Sequence, residues 1–209
     1  MKLGLISDVH CNVAAFRRAL DELEGDAEEI LLLGDLVYEY RFCNEMITIA
    51  REGGFRYVLG NHELGVLSPG ASAARHSAQV DPVNVEYLRA LPTRLDLEIG
   101  AKRVCMVHAS PFPPYNDYLY AGSTLLGRCA ELDADFLLLG HTHVAMAERH
   151  NGTLVVNPGS LGESRDPPLV SYAILETDDE QVELRSFPNP ALGVAGPTTS
   201  RLLTTTRHG

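Results

Sequence analysis

Short apolar runs of four to six residues recur along the chain, most of them closed by Gly or Ser and then by Asp, Asn or His. LGLISDVH (3–10), ILLLGD (30–35), YVLGNHE (57–63) and FLLLGHTH (136–143) share this form, and VCMVHAS (104–110) repeats it without the glycine. Such unbroken runs of Leu, Ile and Val predict strands buried on both faces. Between the first two, Val13, Phe16, Leu20 and Leu23 keep helical spacing, with Asn12 as cap and Gly25 as terminator, so a strand, a helix and a strand are predicted. Further helices are predicted over 42–51, 83–91 and 123–132. From Arg94 onward alternation predicts hairpins: RLDLEIG with KRVCMVH, AMAERH with TLVVN, and LVSYAILE with QVELRSF. Residues 64–82 are poorly patterned and are expected to form a loop at a cleft edge. Residues 188–209, rich in Pro, Gly, Thr and Ser, are expected to form a loosely packed tail after a single domain over 1–187. Pattern alone supports a mixed α/β fold class.

Composition narrows the picture. At 209 residues, 45% hydrophobic and 22% charged, the chain has the make-up of a globular domain able to bury a core. No run approaches the roughly 18 to 20 apolar residues of a membrane span, and the chain opens directly into a strand phrase, so a cytoplasmic protein without membrane association is expected. The net charge of −11 disfavours stable binding to nucleic acid, which depends on counterion release. Cys11, Cys43, Cys105 and Cys129 are scattered and form no CxxC pair, so neither a zinc knuckle nor a disulfide framework is expected.

Histidine carries the chemical signal. Of the eight histidines, His10, His62, His108, His141 and His143 fall at the strand-end clusters, together with Asp8, Asp35 and Asn61. A lone histidine in a loop is more often structural, but co-occurrence at five predicted strand ends points to cation binding. Divalent ions accept carboxylate oxygen and neutral imidazole together, and α/β sheets gather ligands beyond the carboxyl ends of strands. Asp8 and His10, two residues apart, point the same way if the segment stays extended. Seven ligands exceed what one ion takes with substrate room to spare, whereas two ions about 3.5 to 4 Å apart can share a carboxylate, and Asp35 is the natural bridge.

In this order, SDVHCN, LLGDLV, LGNHE, VHASP and LGHTH resemble the DxH, GD, GNH[ED], H and GHxH motifs of the calcineurin-like metallophosphoesterases, and the small bacterial phosphodiesterase-like branch in particular. The resemblance spans residues 3 to 175 and implies a four-layer αββα sandwich of two mixed β-sheets flanked by helices, with a dinuclear site at one sheet edge. It implies Asp8, His10, Asp35 and His143 on one divalent ion and Asp35, Asn61, His108 and His141 on the other. Mn or Fe is favoured, with Zn, Co and Ni also compatible. His62 would contact the phosphate or protonate the leaving oxygen, and bound water of lowered pKa would supply the nucleophile.

The implied activity is hydrolysis of a small phosphodiester or phosphomonoester, nucleotide-type substrates being favoured. A protein phosphatase is disfavoured because GDLVYEY and VLGNHE lack the arginines that grip phosphate in those relatives; Arg41 is the nearby substitute. A noncatalytic scaffold of the same fold is disfavoured because the ligand set is complete. Tyr115, Asn116, Tyr118 and Tyr120, in the stretch after VHASP, are candidates for a substrate pocket, as are Ser160 and Arg165 in SLGESRD. Cys11 stands where relatives carry glycine, so a left-handed backbone is expected to strain it, with its thiol facing the ions. Self-association is left open.

Overall fold

Strand alternation sorts the apolar side chains into three separate packing layers. The computed structural model describes residues 1–68, 80–165, 168–193 and 200–204, the last stretch as backbone only. In chain order its elements are β1 (Lys2–Ile6), α1 (Val13–Leu23), β2 (Glu29–Leu32), α2 (Asn44–Gly53), β3 (Arg56–Tyr57), α3 (Asn61–Leu67), α4 (Pro82–Arg89), β4 (Arg94–Ile99) and β5 (Lys102–Val107). A 3-10 helix (Thr124–Glu131) leads to β6 (Phe136–Leu138), β7 (Met146–His150), β8 (Thr153–Asn157), β9 (Leu169–Glu176) and β10 (Gln181–Pro188), and a 3-10 turn (Pro190–Leu192) precedes β11 (Ser200–Thr204).

The strands form two mixed sheets, ordered β11-β10-β9-β1-β2-β3 and β4-β5-β6-β8-β7. Leu3, Leu5, Leu31 and Leu33 of the first sheet meet Val104, Met106, Phe136, Leu138, Leu154 and Val156 of the second in the central layer. The intervening residues face outward. Ile6 and Leu32 pack under Phe16, Ala19, Met46, Ile47 and Leu88 of the helices, while Cys105, Leu137 and Val155 pack under Leu119, Leu126 and Cys129. Helix, sheet, sheet and helical cover make the four layers of an αββα sandwich.

Local signals behave as their chemistry dictates, with shifts at the ends. The Asn12 side chain accepts from the Ala15 amide and starts α1, and the residues it buries are Ala15, Phe16, Ala19 and Leu23. Val13 and Leu20, expected on that face, are only half-buried, because alanines allow closer approach to the sheet. The helix expected over 42–51 runs from Asn44 to Gly53 and ends on left-handed Gly54, and that expected over 83–91 starts one residue earlier, with Asp81 as its cap. The cover expected as an α-helix over 123–132 is 3-10.

One expectation needs correction, and part of the 188–209 segment is described. Residues 64–67, read as unpatterned, complete the short helix α3, whose start at Asn61 follows directly from the turn at Gly60; residues 69–79 lie outside the described residues. Within 188–209, Ser200–Thr204 pair antiparallel with β10 as a sheet edge, and Asn189 is buried against Asn12. Among the described residues no helix is long and apolar enough to cross a membrane.

The topology positions the site. β1, β2 and β3 run parallel, as do β5, β6 and β8, so each sheet presents several strand carboxyl ends along one edge. The loops beyond those ends are tied together by backbone bonds: Asp8 to Gly34 (3.0 Å), His10 to Asp35 (3.1 Å), Gly140 to His108 (2.8 Å) and Gly162 to Asp8 (2.9 Å).

Candidate metal centre

The loops converge because their backbones turn sharply at the functional residues themselves. Asp8, His10, Asp35, His141 and His143 all have positive φ, between 49° and 68°. This corrects the extended reading of Asp8 and His10: β1 ends at Ile6, and left-handed turns bring the two side chains together. Each such residue costs roughly 1–2 kcal/mol, and strain of this kind persists where the surroundings over-determine it. Two glycines permit the crowding. A Cβ on Gly60 would stand 2.1 Å from Asp35 Oδ1, and one on Gly140 would stand 1.9 Å from Ser7 Oγ.

Both carboxylates are buried, and each spends one oxygen on the protein while aiming the other inward. Asp8 Oδ2 accepts from Ser7 Oγ (2.7 Å) and the His141 amide (3.0 Å), leaving Oδ1 buried and unpartnered, 3.3 Å from His143 Nε2 and 3.9 Å from His10 Nε2. Asp35 Oδ1 accepts the His62 amide (2.9 Å), and Oδ2 lies 3.0 Å from His108 Nε2.

The imidazoles are oriented from behind. His108 Nδ1 donates to the Leu33 carbonyl and His143 Nδ1 to the Glu163 carbonyl, both at 2.7 Å, so each ring turns Nε2 toward the carboxylates and, when a cation replaces the proton there, presents a lone pair. His10 Nε2 and His143 Nε2 stand 3.1 Å apart, and His108 Nε2 and His141 Nε2 are buried without a hydrogen-bond partner. Lone pairs facing lone pairs suit a cation, not a hydrogen-bond network. Three groups of ligand atoms are close enough to hold one: Asp8, His10 and His143; Asp35, His108 and His141; and His10, Asp35 and His62. Asp35 and His10 each belong to two of them.

The electrostatics agree. Burial pushes His10 and His141 down to about 4, which keeps them neutral as ligation requires. Burial also opposes charge on His108, His143 and Asp35, but the carboxylate facing each imidazole and the imidazole facing the carboxylate outweigh it. His108 is pushed up to about 10, His143 is raised, and the Asp35 carboxyl is held well below the usual range. A divalent cation held by Asp35, His108 and His141 would supply the positive charge that the proton on His108 otherwise supplies.

His62 stands at the open side of the centre, its side chain 22% exposed, with Nε2 4.0 Å from Asp35 Oδ2 and its ring edge-on to His10 and Tyr38. Nδ1 accepts the Glu39 amide at 3.4 Å, which turns Nε2 toward the cleft. Asn61, the first residue of α3, is exposed and lines the same cleft as His108 and His141. Tyr118 is stacked on His141 with ring centroids 3.9 Å apart. Arg41 reaches the region through its backbone: its carbonyl accepts the Cys11 thiol at 3.3 Å, and its side chain is exposed. Cys11 has the expected left-handed φ of 61°, but its thiol is directed to that carbonyl and not to the carboxylates. Ser160 is buried, bonding the Asp8 carbonyl at 2.7 Å, and is structural; Arg165 and His143 line a neighbouring cavity.

Four supporting residues escaped the sequence reading. Ser7 orients Asp8. Asn157 braces the His141 loop through Gly140 and Thr142. Tyr38 stacks on His10 and donates its hydroxyl to Glu163, whose carbonyl holds His143. Glu63, fully buried, accepts the amides of Asp35 and Gly60 (both 2.8 Å) and Val37 (3.1 Å); burial and the Asp35 charge push its carboxyl up to about 7. Of these only Glu63 had a signal, the acidic residue that ends GNH[ED].

Removing Glu63 should therefore loosen the whole edge. Glu63→Ala leaves three buried amides without an acceptor, at about 1–3 kcal/mol each. For a chain of this size the expected fall in Tm is about 6 °C or more, and Glu63→Gln, which keeps one acceptor oxygen, should lose less. A melt of Glu63→Ala that superimposes on the parent would refute this role.

Comparison with known proteins places the geometry in a family. The model of the calcineurin-like phosphoesterase superfamily domain matches residues 1–180. The uncharacterized protein MJ0912 of Methanocaldococcus jannaschii is 27% identical over 87% of this chain and 85% of its own length. The phosphodiesterase YfcE of Escherichia coli is 25% identical over 85% of this chain and 89% of its own. Among solved structures, a metallophosphoesterase from Sphaerobacter thermophilus superimposes with a TM-score of 0.77 at 26% identity, covering 92% of this chain and 90% of that one. With the motifs at one sheet edge and a family model that spans most of its length, the chain belongs to the calcineurin-like phosphoesterase superfamily.

Proposed function

We propose that the protein is a dinuclear-metal phosphoesterase acting on a small phosphodiester or phosphomonoester. The observation that carries this reading is the set of buried, unpartnered acceptor atoms, Asp8 Oδ1, His108 Nε2 and His141 Nε2, around a carboxylate, Asp35, that belongs to two ligand groups. Asp8, His10, Asp35 and His143 hold one cation; Asp35, Asn61, His108 and His141 hold the other. The mixed carboxylate and imidazole set accepts Mn, Fe, Zn, Co or Ni, and Mn or Fe is the choice proposed. Divalent cations bound there supply charge neutralisation for the phosphate and acidify water.

The chain supplies the rest. Ser7, Glu63, Leu33 and Glu163 hold the carboxylates and imidazoles in place before substrate arrives, so little reorganisation is needed at the moment of reaction. His62 turns Nε2 to the open side of the centre, where its ring is placed to donate a proton to the departing ester oxygen.

The test is hydrolysis of bis(p-nitrophenyl) phosphate and p-nitrophenyl phosphate by protein stripped with a chelator and then reloaded with Mn. Turnover is expected only after reloading, with the diester preferred. Reloading at about 100 times Kd should also add about 2.7 kcal/mol of stability, a rise in Tm of about 5–10 °C. Equal turnover by stripped and reloaded protein would overturn the reading.

A further inference from the structure

Beside the Asp35, His108 and His141 group opens a cavity of about 470 Å³, bounded by Leu59, Leu64, Pro111, Tyr115 and Asn116 and reaching the two imidazoles. That volume falls in the range of small-molecule sites, about 300–1,000 Å³. Its mouth is unusually apolar for a surface: Leu64 is 45% exposed and Tyr115 63%. Tyr118, stacked on His141 and parallel to Tyr120, extends the aromatic wall at the imidazole. Tyr115 is held in place by its amide, which donates to the Phe112 carbonyl at 2.7 Å, and its φ of 70° is a conformation that a bulky residue rarely adopts.

The charge of the lining excludes one kind of occupant. Apart from the imidazoles, Arg94 is the one cationic residue among the described residues lining the cavity, and Asp96 already engages it through contacts of 2.7, 2.8 and 3.1 Å. Among the described residues lining the cavity, a second phosphate would find no free counter-charge. A flat, uncharged ring would find an aromatic face in Tyr115, an apolar wall in Leu59, Leu64 and Pro111, and an amide in Asn116 for its polar edge.

We propose that this cavity is a nucleoside site, in which the base of a nucleoside phosphoester stacks on Tyr115 while its phosphate lies at the His108 and His141 end. The proposal rests on the phosphoesterase reading and adds the substrate class: nucleoside esters of a single phosphate, not nucleoside polyphosphates. Tyr115 is then a specificity-determining residue.

The test compares the p-nitrophenyl ester of thymidine 5′-phosphate with methyl p-nitrophenyl phosphate, which share reaction and leaving group but differ in carrying a nucleoside or a methyl group, the Tyr115 variants isolating the share that belongs to the base. Wild-type protein is expected to favour the nucleoside ester roughly tenfold in kcat/KM, the scale of base stacking on one aromatic ring. Tyr115→Ala should erase most of that preference through KM, and Tyr115→Phe should restore it. Equal kcat/KM on the two esters, or a preference that survives Tyr115→Ala, would overturn the nucleoside site while leaving the esterase reading intact. If neither ester is turned over, the esterase reading fails, and calorimetry decides the cavity separately. Roughly tenfold tighter binding of thymidine 5′-phosphate than of methyl phosphate, lost in Tyr115→Ala, supports the site; equal binding overturns it.

Discussion

Asp35→Asn is expected to bind far less metal and to lose nearly all turnover while remaining folded. Asp35 Oδ2 lies 3.0 Å from His108 Nε2, and Asp35 belongs both to the group with His10 and His62 and to the group with His108 and His141. Removing one partner of a buried charge pair costs about 3–5 kcal/mol. Applied to cation binding, that is roughly two to four orders of magnitude in affinity. Because the residue is shared, both ions are weakened.

The fold should tolerate the change. Asn is nearly isosteric, its carbonyl oxygen can keep the bond from the His62 amide, and its NH2 can donate to the His108 lone pair. In metal-free protein the variant also breaks the buried pair with His108, so its Tm should fall below that of the stripped parent while the melt stays cooperative. Metal content by elemental analysis, with melts of stripped and reloaded protein, separates loss of binding from loss of folding. A variant that keeps both ions and full turnover would remove Asp35 from its bridging role.

His62→Ala has the opposite signature: metal content close to the parent's and turnover lowered about 10²- to 10⁴-fold, the usual contribution of a positioned general acid. His62 lies outside the two deeper groups, Asp8 with His10 and His143, and Asp35 with His108 and His141, and it is more exposed than any of them. The leaving group provides a sharper reading. p-Nitrophenolate departs with little help from a proton, whereas an alkyl or nucleoside oxygen needs one, so the variant should lose much more activity on esters with poor leaving groups. A uniform loss across leaving groups would instead assign His62 to phosphate binding.

These effects depend on a site whose parts were legible to different degrees. The strand-end clusters are readable because buried parallel strands are continuous apolar runs, and chemistry collects where such runs stop. The order of SDVH, GD, GNHE, H and GHTH carried the family and, through it, the sandwich. Pattern alone reached only a mixed α/β fold, because nothing local says which face of an apolar strand meets the other sheet. The convergence of Asp8 and His10 was foreseen for the wrong reason. Their spacing suggested a shared strand face, but the chain has already left the strand and turns left-handed at both residues.

Other misses share a cause. The His141 amide reaches Asp8 across 133 residues, and Asn157 and Glu163 brace the histidine loop from outside it, contacts that no spacing in the chain announces. α3 is too short to show a periodicity, and β11 forms because β10 offers it an edge. Cys11 adopts the strained backbone expected at a glycine position, yet the direction of its thiol was set by the Arg41 carbonyl on a neighbouring loop.

The sequence by itself determined which residue types could hold divalent cations, in what order, and at the ends of which strands, since ligand chemistry and strand burial are written in local composition. Only the tertiary structure decided how the donors are aimed. Their lone pairs are oriented by carbonyls, amides and hydroxyls from distant loops, and that orientation exists only once two sheets have packed and brought their carboxyl edges together.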